Sequence, residues 1–306
     1  MIPLELIREA AARVGPHVRR TPVVPAPDGT LLKLECLQAT GAYKVRGFFA
    51  AALALPPEQR AKGLLTVSSG NAALACAYVA HQLGVPCRTV MLETAPPPKV
   101  DGVRRLGAQP VLLPRQELLD WMATAAWEGE PETFLHPFAA EEVIAGHGGI
   151  GLELFEQVPN LARVLIPAGG GGLIAGVGNA LKTLNPAIEV IGVQSAGYAL
   201  WPQSFAAGGP VPITPDTIAD GTTAPFDPRM FARLGETVDR WLIVPEERLR
   251  AAVAELATRV KVVAEGAGAL AYAAREQLSA GGATVAIVSG GNIDPRLLAE
   301  ILMAVG

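Results

Sequence analysis

The sequence predicts an α/β fold of two lobes, each a mainly parallel sheet flanked by helices. Three observations predict it. Short β-rich runs alternate with longer helical runs along the chain, the pattern that places parallel strands beneath helices on both faces. At 306 residues the chain is long enough for two cores. Half of the residues are hydrophobic and only 18% are charged, which suits a packed protein and not a disordered one. The opening MIPLELIREAAARVGPHVRR (1–20) carries apolar residues at helical spacing and predicts an amphipathic helix. LLTVSS (64–69) predicts a buried strand, followed by a helix over NAALACAYVAHQLG (71–84). CRTVML (87–92) and PVLL (110–113) predict two more strands. RVLIPA (163–168), IEVIGVQ (188–194), RWLIV (240–244) and TVAIVSG (284–290) repeat the theme downstream, with helical runs such as LRAAVAELATRV (249–260) between them. Boundaries near Ala61 and His136 divide the chain into a large domain (1–60 and 137–306) and a small one (61–136).

Charge and composition exclude several functions. The net charge is −4 and no long basic run occurs, so nucleic acid is not the expected partner. No apolar stretch reaches transmembrane length, and the first residues lack the apolar core of a signal peptide. Cys36, Cys76 and Cys87 form no CxxC pair and fit a reducing compartment, so a cytoplasmic protein is expected. His17, His81, His136 and His147 are scattered without metal-ligand spacing, and no metal site is expected. No nucleophile elbow signals a Ser-His-Asp set.

Other runs carry chemistry. PAGGGGLIAG (167–176) follows a predicted strand and opens a helix. Glycines there let backbone N–H groups face an anion, and the helix N-terminus adds partial positive charge. A bare strand-to-helix turn rarely needs four glycines. GHGGIG (146–151) matches the dinucleotide pattern GxGxxG but follows the helical run AAEEVIA, so helix packing explains it better. Lys44 stands in GAYKVRGF between Tyr43 and Val45. Burial would lower its amine pKa and suit it to Schiff-base chemistry; a solvated surface lysine is the bland alternative. SSGNAALA (68–75) is a second strand-to-helix junction, suited to a carboxylate or to ordinary capping by Ser69 or Asn71. Ser289 ends a strand in VSGGNID, where open α/β folds place ligands, and Asp294 before Pro295 reads as the N-cap of the last helix. EGAGALAYAA (265–274) puts Glu265 at a helix start, beside small residues suited to close packing.

With these runs in order, the chain resembles the fold-type II pyridoxal phosphate enzymes, in particular the threonine/serine dehydratase and serine racemase branch. TGAYKVRG is similar to that family's T-G-[SA]-[FY]-K-x-R-G element, and TVSSGN, VIAGHG, PAGGGGLIAG, TIADG, EGAGAL and VSGGNID follow in the family's order over 21–294. The resemblance implies that Lys44 holds the cofactor as a Schiff base and that Tyr43 packs against its ring, where the family usually has Phe. It implies that Asn71 hydrogen-bonds the cofactor's 3′-oxygen. Gly169, Gly170, Gly171 and Gly172 would bind the phosphate, Ser289 would face the ring nitrogen, Gly221 would line the site and Glu265 would lie near the ring. Ser68, Ser69, Gly70, Asn71 and Ala72 would hold the substrate carboxylate. The implied reaction is dehydration and deamination of L-threonine or L-serine to a 2-oxo acid and ammonia, by a homodimer in the cytoplasm. The alternative is an amino-acid racemase using Lys44 and Ser69 as its two bases, since racemases carry Ser where dehydratases often carry Ala. Ala72 stands where His is common, Gln194 where an acid is common, and Phe138 where a polar residue is common. The chain stops soon after VSGGNID, so feedback control through an appended regulatory domain is not expected.

Overall fold

The computed structural model describes residues 1–279 and 281–305. Ten strands form two sheets: β1 Val23–Pro25, β2 Leu31–Leu34, β3 Leu64–Val67, β4 Cys87–Leu92, β5 Gln109–Leu113, β6 Thr133–Phe134, β7 Leu161–Pro167, β8 Glu189–Ser195, β9 Arg240–Val244 and β10 Ala283–Val288. The larger sheet has the order β1-β2-β10-β7-β8-β9 and the smaller the order β5-β4-β3-β6. Every pairing is parallel except β1 with β2, which run antiparallel. All four strands of the smaller sheet lie between Leu64 and Phe134.

The strands read from alternation are present within a residue or two of their predicted bounds. β1, β2 and β6 carried no such signal. β2 is LLKL, and its Lys33 is fully buried, which no hydropathy pattern anticipates. The ammonium is met by the Thr21 carbonyl at 2.8 Å, Glu153 at 2.5 Å and the Gln157 amide oxygen at 2.9 Å. Arg46, two residues past Lys44, extends this cluster by pairing with Glu35 at 2.8 Å and Glu153 at 2.7 Å. The two cations and two carboxylates balance. Removing one member of such a buried set leaves an uncompensated charge and costs about 3–5 kcal/mol.

The opening helix is shorter than predicted, Leu4–Val14, with a 3₁₀ turn over Gly15–His17 where Pro16 interrupts the ladder. The helix beginning at Glu246 is α-helical to Glu255, widens into a π-turn over Leu256–Val260 and stops at Lys261 with φ +66°. Asp294 caps the final helix by accepting from the Arg296 N–H at 2.7 Å. GHGGIG lies inside the helix Glu141–Gln157, as the packing explanation required. A Cβ at Gly146 would lie 2.6 Å from the Arg46 carbonyl oxygen, and one at Gly151 2.8 Å from the Val177 carbonyl oxygen. These glycines let the Lys44–Ala54 and Gly172–Leu184 helices press close on either side.

The arrangement positions a site because β3, β7 and β10 all release their chains on the carboxyl side of their sheets. After β3 come Ser68–Gly70 and the helix Asn71–Leu83; after β7 comes the glycine run; after β10 comes Ser289.

Candidate active site

The GAYK run is pinned to SGGN by backbone pairing. The Tyr43 N–H donates to the Ser289 carbonyl at 3.0 Å, and the Gly291 N–H to the Gly41 carbonyl at 2.8 Å. Gly41 turns through φ +73°, and a Cβ there would sit 2.5 Å from the Asn292 amide oxygen, so this turn admits only glycine. Lys44 then opens its helix. Its Nζ donates to the Pro137 carbonyl at 2.8 Å, and among the described residues no carboxylate pairs with it. Desolvation without a counter-charge pushes the amine down to about 8, which leaves a usable fraction of free amine near neutral pH. The Tyr43 ring lies 5.2 Å from Nζ and stands edge-on to His147, ring centroids 4.7 Å apart.

The glycine run is shaped by what takes its carbonyls. The Ala168 carbonyl accepts from Gln194 Nε2 at 2.8 Å and the Gly169 carbonyl from Trp201 Nε1 at 2.6 Å. Gln194 Oε1 in turn accepts from the Trp201 N–H at 2.7 Å. Among the described residues, the N–H groups of Gly169 to Ile174 find no protein acceptor. A row of free N–H groups ahead of a helix is an anion cradle. The glycines themselves have a second cause. A Cβ on Gly170 would lie 2.3 Å from the Phe138 ring, one on Gly172 2.5 Å from the Phe138 carbonyl and one on Gly169 2.9 Å from the Gly221 carbonyl, while Gly171 has φ +91°. His136 fixes Phe138 by accepting at Nδ1 from the N–H groups of Phe138 and Ala139, and burial holds its ring at about 4, hence neutral at pH 7.

At the second junction, neither Ser69 nor Asn71 caps the helix, so the capping alternative fails. Ser69 Oγ accepts from the Leu92 N–H at 2.8 Å, and Ser68 Oγ accepts from the Gly70 N–H at 3.1 Å. The N–H groups of Asn71, Ala72 and Ala73 are left without a protein acceptor among the described residues. The Asn71 side chain points away from its helix: Nδ2 donates to Glu265 at 2.5 Å, and Oδ1 accepts from Asn292 Nδ2 at 2.8 Å. These two bonds fix which way the amide faces. Glu265 is 4% exposed. Burial first, then the nearby Asp220 charge, push its carboxyl up to about 7. Ser289 is equally buried, with its Oγ 3.4 Å from the Ala267 carbonyl. Gly221 closes the ring of residues, its open side facing Ala267.

The structure therefore brings the sequence-selected residues into one constellation. Gln194, Trp201, His136, Pro137 and Asn292 also build it, and sequence reasoning gave them no role. Asn292 lay inside a quoted motif and Gln194 stood out as a departure. Trp201 had no local signal, because it reaches Gly169 only through the fold. The parts fit pyridoxal phosphate: a desolvated amine without a counter-ion, an anion cradle, and a buried hydroxyl beyond β10.

A family model described as pyridoxal-phosphate dependent enzyme matches residues 14–290. The L-threonine ammonia-lyase of Geobacter sulfurreducens is 37% identical over 318 residues, covering 99% of this chain and 78% of the relative. Among solved structures, maize serine racemase aligns with a TM-score of 0.91 at 33% identity, over 99% of this chain and 97% of the other. The processed form of threonine deaminase isoform 2 from Solanum lycopersicum aligns with a TM-score of 0.90 at 30% identity, over 99% and 88%.

Proposed function

The chain belongs to the pyridoxal-phosphate-dependent enzymes, and we propose that it is an ammonia-lyase converting L-threonine or L-serine to a 2-oxo acid and ammonia. The observation that carries this reading is the Lys44 amine, desolvated, unpaired with any carboxylate among the described residues and joined through Pro137 and Phe138 to the glycine cradle.

In this reading Lys44 Nζ would hold the cofactor aldehyde. The N–H groups of Gly169, Gly170, Gly171 and Gly172 would take its phosphate, Ser289 Oγ would face its ring nitrogen, and Asn71 Nδ2 would meet its 3′-oxygen. Bound pyridoxal phosphate supplies an electron sink for the carbon that loses its proton. The free N–H groups at Asn71 and Ala72, with Ser68, Ser69 and Gly70, orient the substrate carboxylate. The Lys44 amine, when free, would be a base already positioned for the α-proton. Overall, the substrate would lose its β-hydroxyl as water, and hydrolysis of the released enamine would give the 2-oxo acid and ammonia. Tyr43 would pack beside the ring and Gly221 would line the site; Glu265, whose carboxyl is raised to about 7, accepts from Asn71 and orients it.

A second reading is favoured by Ser69. Its Oγ accepts from Leu92 and so keeps its own proton to donate, as a racemase acting on the opposite face of the α-carbon requires. We also read the chain as two lobes, 1–60 with 137–306 and 61–136, and as a cytoplasmic homodimer. The test of the main reading is release of 2-oxo acid by the cofactor-loaded protein and its Lys44→Ala variant. Wild-type turnover with loss of at least about 10³-fold in the variant is expected for a lost base and attachment point; undiminished turnover in the variant contradicts it.

A further inference from the structure

Lys99 is the feature that this reading leaves unused. It lies in the helix Pro97–Arg105, which follows β4, and its Nζ reaches across the cleft to Asp220, beyond the larger sheet, at 2.6 Å. The pair borders a cavity of about 120 Å³ whose lining includes Glu265, Gly266 and Asn292. Lys99 is the cation of that lining; Asp220, Glu265 and Asp294 are its carboxylates. In front of Gly70, a Cβ would meet Lys99 Nζ at 3.8 Å and, its chain neighbours aside, no other atom of the described residues within 4 Å. The ammonium therefore stands over the junction that carries the free N–H groups of Asn71 and Ala72. Its side chain is 16% exposed, whereas that of Asp220 is 57% exposed. An ion pair with one partner so open to water is weak and readily exchanged.

We propose that Lys99 is a specificity-determining residue that receives the carboxylate of the incoming amino acid at the mouth of the site, with Asp220 as its resting counter-ion. This rests on the amino-acid lyase reading. Without Lys99, the mouth presents the carboxyl groups of Asp220, Glu265 and Asp294 and no cation, and repels an anionic group. With it, the substrate carboxylate replaces Asp220 and is delivered to the N–H groups of Asn71 and Ala72. Selection then falls on amines that carry an adjacent carboxylate.

The test uses the cofactor-loaded protein and two unreactive probes, L-2-aminobutanoate, which has no β-hydroxyl to lose, and 1-propylamine, which also lacks the carboxylate. Binding is measured by calorimetry for wild type, Lys99→Gln, Lys99→Arg and Asp220→Asn. Lys99→Gln is expected to weaken L-2-aminobutanoate by about tenfold and leave 1-propylamine unchanged, as loss of a charge partner does. Lys99→Arg should retain most of the affinity, and Asp220→Asn should tighten L-2-aminobutanoate by freeing the cation. Equal weakening of both probes by Lys99→Gln and Asp220→Asn would mean that the pair is only a tie between the two sides of the cleft, and would overturn the assignment. Unchanged L-2-aminobutanoate binding in Lys99→Gln would overturn it too. Wild type that binds L-2-aminobutanoate but releases no 2-oxo acid from threonine or serine would sink the lyase reading and leave the Lys99 assignment to the variants.

Discussion

Lys44 and Glu265 show how burial prepares opposite kinds of group for one site. Desolvation disfavours the charged form of each, so the amine falls to about 8 and the carboxyl rises to about 7. Both then exchange protons within reach of neutral pH. The sign for Glu265 follows from linkage. Its folded value lies above the ordinary 4.5, so it contributes stability below that value, and the contribution is lost as pH rises through about 7. Glu265→Gln, a permanently neutral isostere that still accepts from Asn71, should therefore gain melting temperature relative to wild-type apo-protein as pH goes from 5 to 8. A difference that stays constant across that range would show the carboxyl to be already ionised at pH 5. Lys44, Ser289 and the glycine run were legible in the sequence because each sits in a local run with its own punctuation. The Asn71–Glu265 contact was not, because 194 positions separate its partners and a helix-start glutamate has an ordinary explanation in the helix dipole.

The elements explain the shape of the anion cradle. β8 supplies Gln194, and the helix Leu200–Ala207 supplies Trp201; together they pull two carbonyls out of the glycine run and leave its N–H groups free. Trp201→Phe keeps an aromatic ring and removes the bond to Gly169. An unsatisfied carbonyl costs about 1–3 kcal/mol, so pyridoxal phosphate affinity should fall about tenfold in an equilibrium titration. Unchanged affinity would mean that the run keeps its shape without the indole. At this scale the strands of the parallel sheets were readable, being largely apolar, whereas the short β6 and the lysine-bearing β2 were not. The four glycines carried two meanings that sequence does not separate. Free N–H groups suit an anion, and Phe138 and Gly221 leave no room for a Cβ. Helix packing, the bland explanation, held for GHGGIG, whose glycines sit where neighbouring helices touch.

Across the whole molecule, two mainly parallel sheets contribute to the site: the glycine run and Ser289 follow strands of the larger, and Ser68 to Asn71 follow a strand of the smaller. The fold class was legible from the alternation of strands and helices, and the family matches bear out the resemblance drawn from motif order. How residues from the two sides face each other, as Lys99 does Asp220, depends on tertiary placement that no run of sequence encodes. For assembly, light scattering on the purified protein should give twice the mass of one chain; the mass of a single chain would contradict the proposed homodimer. The central claim is elimination at a hydroxyl-bearing amino acid. Proton NMR of the cofactor-loaded protein in D₂O, with L-threonine and L-serine in separate tubes, tests it most directly. Growth of 2-oxobutanoate or pyruvate signals is the predicted result. Loss of the α-proton signal with the carbon skeleton intact would contradict it and place the racemase reading first.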